Sequence, residues 1–103
     1  MTDASTSRAP LGRETRVVVS RDAVSAELES ETVILGMHDG VYHGLEQVGT
    51  RIWALAATPT TLGAIHEVIA AEYDVDPALA WQDLVALAQD LLAAGLLDHV
   101  PDE

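Results

Sequence analysis

The chain has 103 residues, 49% of them apolar, which is enough for one core and too little for two. It contains no Cys, so a disulfide framework, a thiolate zinc site and a cysteine nucleophile are excluded. Its 17 Asp and Glu stand against five Arg and no Lys, a formal charge of −12 that repels phosphate backbones and anionic lipid and attracts basic partners. Neither nucleic acid nor a membrane is therefore expected as a partner.

Residues 1–15 are polar, carry Pro10 and Gly12 and lack periodicity. They read as a disordered tail ahead of a single domain over residues 16–103. The N-terminus has no apolar stretch of the secretory kind, and no apolar run approaches the ~18–20 residues that cross a bilayer, so a cytoplasmic location is expected. Val17-Val18-Val19 and Val24–Leu28 are strand material, the second alternating apolar and polar. Glu29-Ser30-Glu31 reads as a turn, and Thr32–Met37 is a β-branched run of the buried-strand type. Asp39-Gly40 is a hairpin signal, and Val41–Leu45 returns as the next strand.

Helical periodicity takes over after Leu45. From about Glu46 to Ala57, Val48, Ile52, Leu55 and Ala56 recur at three- and four-residue steps. Thr58-Pro59-Thr60 interrupts that pattern, because Pro lacks the donor N–H and biases its predecessor away from the α region. Thr60 or Thr61 caps a second helix, whose face is marked by Leu62, Ile65, Val68, Ile69 and Tyr73. Asp76 is placed as N-cap of a third helix with Pro77 at its first position, and Gly95 ends it as a left-handed C-cap. The expected fold is α+β and winged-helix-like: a three-stranded antiparallel meander followed by three helices. That architecture alone does not fix a function.

The residues with reactive side chains do not assemble into a catalytic pattern. His38, His43, His66 and His99 are scattered without the spacing of a metal site. The serines lack a nucleophile-elbow context, and Gly36, Gly40, Gly44 and Gly49 form no phosphate loop. No enzyme activity, metal or cofactor is expected. Two other features point to binding. The third helix is apolar over more than one face, with Leu84, Leu87, Leu91 and later Leu96 as one stripe and Trp81, Val85, Ala88 and Leu92 as another. One stripe serves the core; the other either completes a fully buried helix or lines a groove. The strand Val41–Leu45 is the last of the meander, and a sheet edge accepts an extended peptide through main-chain hydrogen bonds.

The series Thr32-Val33-Ile34-Leu35, Gly40-x-Tyr42-x-x-Leu45 and Gly49-x-x-Ile52-Trp53 resembles the PqqD family. So does its continuation in Glu72-Tyr73-Asp74-Val75, Asp83-Leu84 and Leu91-x-x-x-Gly95-Leu96-Leu97. This family comprises precursor-peptide recognition elements of ribosomal peptide biosynthesis, and the chain is more similar to stand-alone lasso-type members than to the quinone chaperone. The resemblance implies that a leader peptide adds as a strand antiparallel to the third strand, with side chains entering a groove against the third helix. Carried over, Gly40, Val41, Tyr42, His43, Gly44 and Leu45 supply the edge; Asp83, Leu84, Leu87, Ala88 and Leu91 supply the groove wall. Tyr42 matches the aromatic strand position and Asp83 the acidic helix position. The implied partners are the precursor peptide and a leader-cleaving protease acting with a macrocyclase, or alternatively a radical S-adenosylmethionine maturase. One departure is Glu46, where the family places Asn, a better N-cap. The rivals are a winged-helix transcription factor, disfavoured by Asp83 and Asp90 on a third helix without basic residues, and a structural subunit with no peptide ligand.

Overall fold

In the computed structural model, which describes residues 11–29, 31–37 and 40–101, the β-branched run of the sequence becomes the centre of a sheet. Strand β3 (Glu31–Gly36) lies between β2 (Ala23–Leu28) and β4 (Tyr42–Glu46), all antiparallel, in the order β2-β3-β4. Its burial alternates strictly: Thr32, Ile34 and Gly36 turn inward, and Glu31, Val33 and Leu35 are half-buried on the other face. The expected hairpin residues His38 and Asp39, and Ser30 of the earlier turn, lie outside the described residues. Gly40 beside them has φ 69°, the left-handed conformation that glycine adopts without steric cost, and its N–H donates to the Gly36 carbonyl at 2.8 Å.

Three helices follow the meander, as expected: α1 (Val48–Leu55), α2 (Leu62–Glu72) and α3 (Pro77–Ala93). Their ends obey local chemistry. The Thr61 hydroxyl accepts from the Ala64 N–H at 3.1 Å, and the Asp76 carboxylate accepts from the Ala78 N–H at 3.0 Å with Pro77 in the first turn. At the far end of α3, Gly95 takes φ 78°, its N–H donates to the Leu92 carbonyl, and the Leu96 N–H donates to that of Leu91. This paired 5→2 and 6→1 arrangement satisfies two helix-end carbonyls and aims Leu96 and Leu97 back into the core, where they are 1% and 3% exposed.

The start of α1 departs from expectation. Glu46 stays in β4, paired with Glu31, and the N-cap is Gln47 at φ 49° without a side-chain cap bond. The Thr50 hydroxyl donates to the Leu45 carbonyl at 3.0 Å, which ties the first turn of the helix to the end of the strand.

A second sheet is also present. Strand β1 (Arg16–Val19) does not join the meander; it is the centre of a three-stranded sheet with β5 (Thr60–Thr61) and β6 (Leu97–His99). Val17 pairs with both Thr60 and His99 and is fully buried. This sheet ties the beginning of the domain, the α1–α2 connection and the C-terminal segment together. Ordered structure also begins earlier than residue 16. Leu11–Thr15 form a turn in which the Thr15 N–H donates to the Gly12 carbonyl at 3.1 Å. The Leu62 and Gly63 N–H groups donate to the Thr15 and Arg13 carbonyls, each at 2.9 Å. The expected disorder therefore does not extend through residues 11–15, and residues 1–10 lie outside the described residues.

The core collects Val17 from β1, Ile34 and Leu45 from the meander, Ile52 and Trp53 from α1, Leu62, Ile65 and Ile69 from α2, and Leu84, Ala88 and Leu91 from α3. Trp53 also donates its indole N–H to the Ser25 hydroxyl at 3.1 Å, pinning α1 to the inner face of the meander. Among the described residues, no helix is long and apolar enough to cross a membrane.

Candidate functional site

The edge formed by β4 is set by its hydrogen-bond alternation. The Gly36 N–H donates to the Val41 carbonyl at 3.1 Å, and Leu35 is opposite Tyr42 in the register. In an antiparallel pair this makes His43 and Leu45 the residues that exchange bonds with β3. Tyr42 and Gly44 direct their N–H and C=O groups to the other side, where no strand among the described residues pairs with β4. Side chains alternate across the same strand. Tyr42 is 70% exposed on the outer face, Gly44 is exposed, His43 is half-buried, and Leu45 is 8% exposed against the helices. Gly40 and Val41 lie exposed at the turn that leads into the strand.

Beyond Leu45 the edge opens into a cleft. Gly49, in the first turn of α1, has room for little more than a methyl group: a Cβ there would sit 3.4 Å from Leu45 Cβ and 3.8 Å from Leu87 Cδ2. At this small residue the end of β4, the start of α1 and the middle of α3 converge. The cleft extends from there with a volume of about 210 Å³. Val48, Gly49 and Ile52 of α1 form one wall, and His66 and Ile69 of α2 the floor. Val75 in the α2–α3 connection and Leu79, Ala80, Asp83, Leu84 and Leu87 of α3 close the other side. Because Asp76 and Pro77 fix where α3 begins, Leu79, Asp83 and Leu87 fall at successive four-residue steps along one line facing the cleft.

The lining is apolar except for two groups. Asp83 is exposed and makes no ion pair among the described residues. His66 is held by its surroundings. Its Nδ1 lies 3.1 Å from Arg13 Nη1, a guanidinium that only donates, so Nδ1 accepts and the proton resides on Nε2, which donates to the Pro77 carbonyl at 2.8 Å. The His66 ring also meets Trp81 edge-on at 5.5 Å, and the Arg13 guanidinium lies 5.2 Å from the centre of the Trp81 ring. The arm at Leu11–Thr15 thus buttresses the floor from behind. Across α1 and α2, Arg51 donates to both carboxylate oxygens of Glu72 at 2.9 and 2.8 Å. These hydrogen bonds hold the Glu72 carboxyl below its ordinary range and raise Arg51.

Of the residues expected at the site, Asp83, Leu84 and Leu87 line the cleft, Leu45 is buried beside Gly49 at its margin, and Gly40–Gly44 form the edge that leads towards it. Ala88 and Leu91 lie elsewhere, 1% and 4% exposed inside the core. The core face of α3 runs through Leu84, Ala88 and Leu91, cutting across both apolar stripes read from the sequence. The contributions of α1, α2 and Val75 were not anticipated. A signal for α1 existed in Gly49, a small residue within an apolar helix face; Leu79 of α3, an apolar residue four positions before Asp83, was likewise missed.

The comparisons with known proteins agree with this geometry. The model of the family described as coenzyme PQQ synthesis protein D (PqqD) matches residues 31–97, from β3 into β6. No curated protein matches the sequence. Among solved structures, TbiB1 in complex with the TbiA(beta) leader peptide is 35% identical, with a TM-score of 0.74 over 82% of this chain and 99% of that one. A lasso peptide synthetase B1 complexed with its leader peptide shares the fold at 20% identity and a TM-score of 0.70, over 82% and 98% of the two chains. The matched segment holds β3, β4, the cleft and all three helices, and by that match the chain belongs to the PqqD family.

Proposed function

We propose that this chain binds the leader segment of a ribosomally made precursor peptide as a fourth strand antiparallel to β4, and presents it to the processing enzymes of a lasso-peptide pathway in the cytoplasm. The observation that carries this reading is that the β4 edge, which no strand among the described residues pairs, ends at Leu45 beside Gly49 of an apolar cleft. The outward N–H and C=O groups of Tyr42 and Gly44 provide sequence-tolerant main-chain bonds, and the cleft beyond Leu45 selects side chains. Strand β2, the opposite edge of the sheet, is exposed along most of its length. The chain's 35% identity to TbiB1, whose structure holds a leader peptide, supports the lasso-type assignment over a quinone-type chaperone for a radical S-adenosylmethionine maturase. Binding rather than catalysis is the role this supports, and Asp83 at the rim accepts a basic or hydrogen-bond-donating group of the leader. A ligand that adds one strand and fills a few apolar pockets reaches affinities of about −8 to −12 kcal/mol, micromolar to nanomolar.

The test is Tyr42→Pro. It removes an outward N–H while leaving the bonds of His43 and Leu45 to β3 intact, a position where an edge strand tolerates Pro. Leader affinity should fall by about tenfold or more, roughly 1.4 kcal/mol. Wild-type affinity in a variant with an unchanged circular dichroism spectrum contradicts strand addition at β4.

A further inference from the structure

The face of the meander that points away from the helices is apolar. By the register, Val24, Leu35 and Tyr42 form one row across the three strands, and Ala26, Val33 and Gly44 the next. Leu28, two residues beyond Ala26, continues the same face. Val24, Leu28 and Tyr42 are 55%, 54% and 70% exposed, and Met37 and Val41 at the turn end are 58% and 46% exposed. An antiparallel sheet with one face on its core ordinarily shows water a polar second face. A contiguous exposed apolar field marks an interaction surface.

The charge around this field says what covers it. By the register Glu31 falls in the same row as Leu28 on this face, Glu29 follows Leu28 in the turn, and from Ala23 to Glu46 the sequence has not one Lys or Arg. A second copy of the chain would set one acidic frame against another, each on a molecule of charge −12. The complement is an apolar strip framed by Lys and Arg on a different protein. We infer that the outer face of β2-β3-β4 is the docking surface for the processing enzyme, engaged through such a basic-framed apolar strip while β4 and the cleft hold the leader. This rests on the leader-binding reading above and extends it: edge and face are different surfaces of one sheet, so peptide and enzyme bind side by side.

The experiment uses the full-length chain, the leader peptide and the purified leader-cleaving protease of the same gene cluster. Val24→Thr/Leu28→Thr retains strand propensity and removes apolar area at the far edge from β4; Val24→Lys/Leu28→Lys adds cations that oppose a basic frame. Both should bind the protease about tenfold or more weakly than wild type, the Lys pair more so, with leader affinity unchanged. Wild-type association with the protease should slow as salt rises. Independently of any variant, protease added to the wild-type chain should shift the Val24 and Leu28 methyl resonances in NMR spectra. Protease binding that is absent, or equal in wild type and both variants without those shifts, overturns the inference. So does a wild-type dimer in sedimentation that the variants dissolve, since that assigns the face to a second copy. Loss of leader binding in the wild-type chain would instead remove the groove reading, a failure read in a separate arm.

Discussion

Thr32 shows how single residues set the balance between fold and site. Its side chain turns into the core from β3, 1% exposed, and its hydroxyl has no hydrogen-bond partner among the described residues. Burying an unsatisfied hydroxyl costs about 1–3 kcal/mol, whereas a methyl of the same shape costs nothing there. Thr32→Val should raise stability by about 1 kcal/mol, seen as a melting temperature higher by about 4–8 °C for a domain of this size. A lower melting temperature would mean that the hydroxyl is satisfied. Asp83 plays the opposite part: exposed and without an ion pair among the described residues, it contributes little to the fold and faces the cleft. Asp83→Ala should leave the melting temperature nearly unchanged and weaken leader binding more at low salt than at high salt, because salt screens an exposed ionic contact. Equal losses at both salts would show that the carboxylate does not act through its charge.

At the scale of elements, the helices were legible and the short strands were not. Asp76, Pro77, Thr61 and Gly95 act through bonds to residues two to four positions away, so the sequence displays both partners of each cap. Strands β5 and β6 have two and three residues, too few to show an alternation, and they form only because β1 lies between them. The arm at Leu11–Thr15 escaped for the same reason, since its partners on α2 are some fifty residues away, as Arg13 and Gly63 show. Gly63 gives a sharp test of that arm. A Cβ there would lie 2.9 Å from the Arg13 carbonyl oxygen and 3.2 Å from Arg13 Cβ. In a free helix Gly→Ala stabilises by up to about 1 kcal/mol. Here Gly63→Ala should instead destabilise, by about 1–3 kcal/mol as overpacking does, and should speed tryptic cleavage after Arg13. A higher melting temperature with unchanged cleavage would show that the arm is not packed on α2. Because His66 on the cleft floor accepts from Arg13, the same variant probes whether the arm supports the site.

For the molecule as a whole, the order of elements carried the fold class: a meander and three capped helices leave few ways to enclose one core. The site was legible only in outline. The edge strand followed from its place as the last of the meander, and Asp83 as a groove residue from the family resemblance. The two stripes of α3, in contrast, could not be assigned from spacing, because the packing of α2 and β6 against the helix buries a line that takes residues from both. Its core line through Leu84, Ala88 and Leu91 is a property of those neighbours and not of the helix alone. The central claim, that this assembly captures a leader peptide, is tested most directly by titrating the chain into a fluorescently labelled leader segment of its precursor and following anisotropy. Saturable, submicromolar binding is expected, which the core segment of the same precursor does not reproduce. A leader that stays free at concentrations well above micromolar, or one bound no better than the core segment, would contradict it.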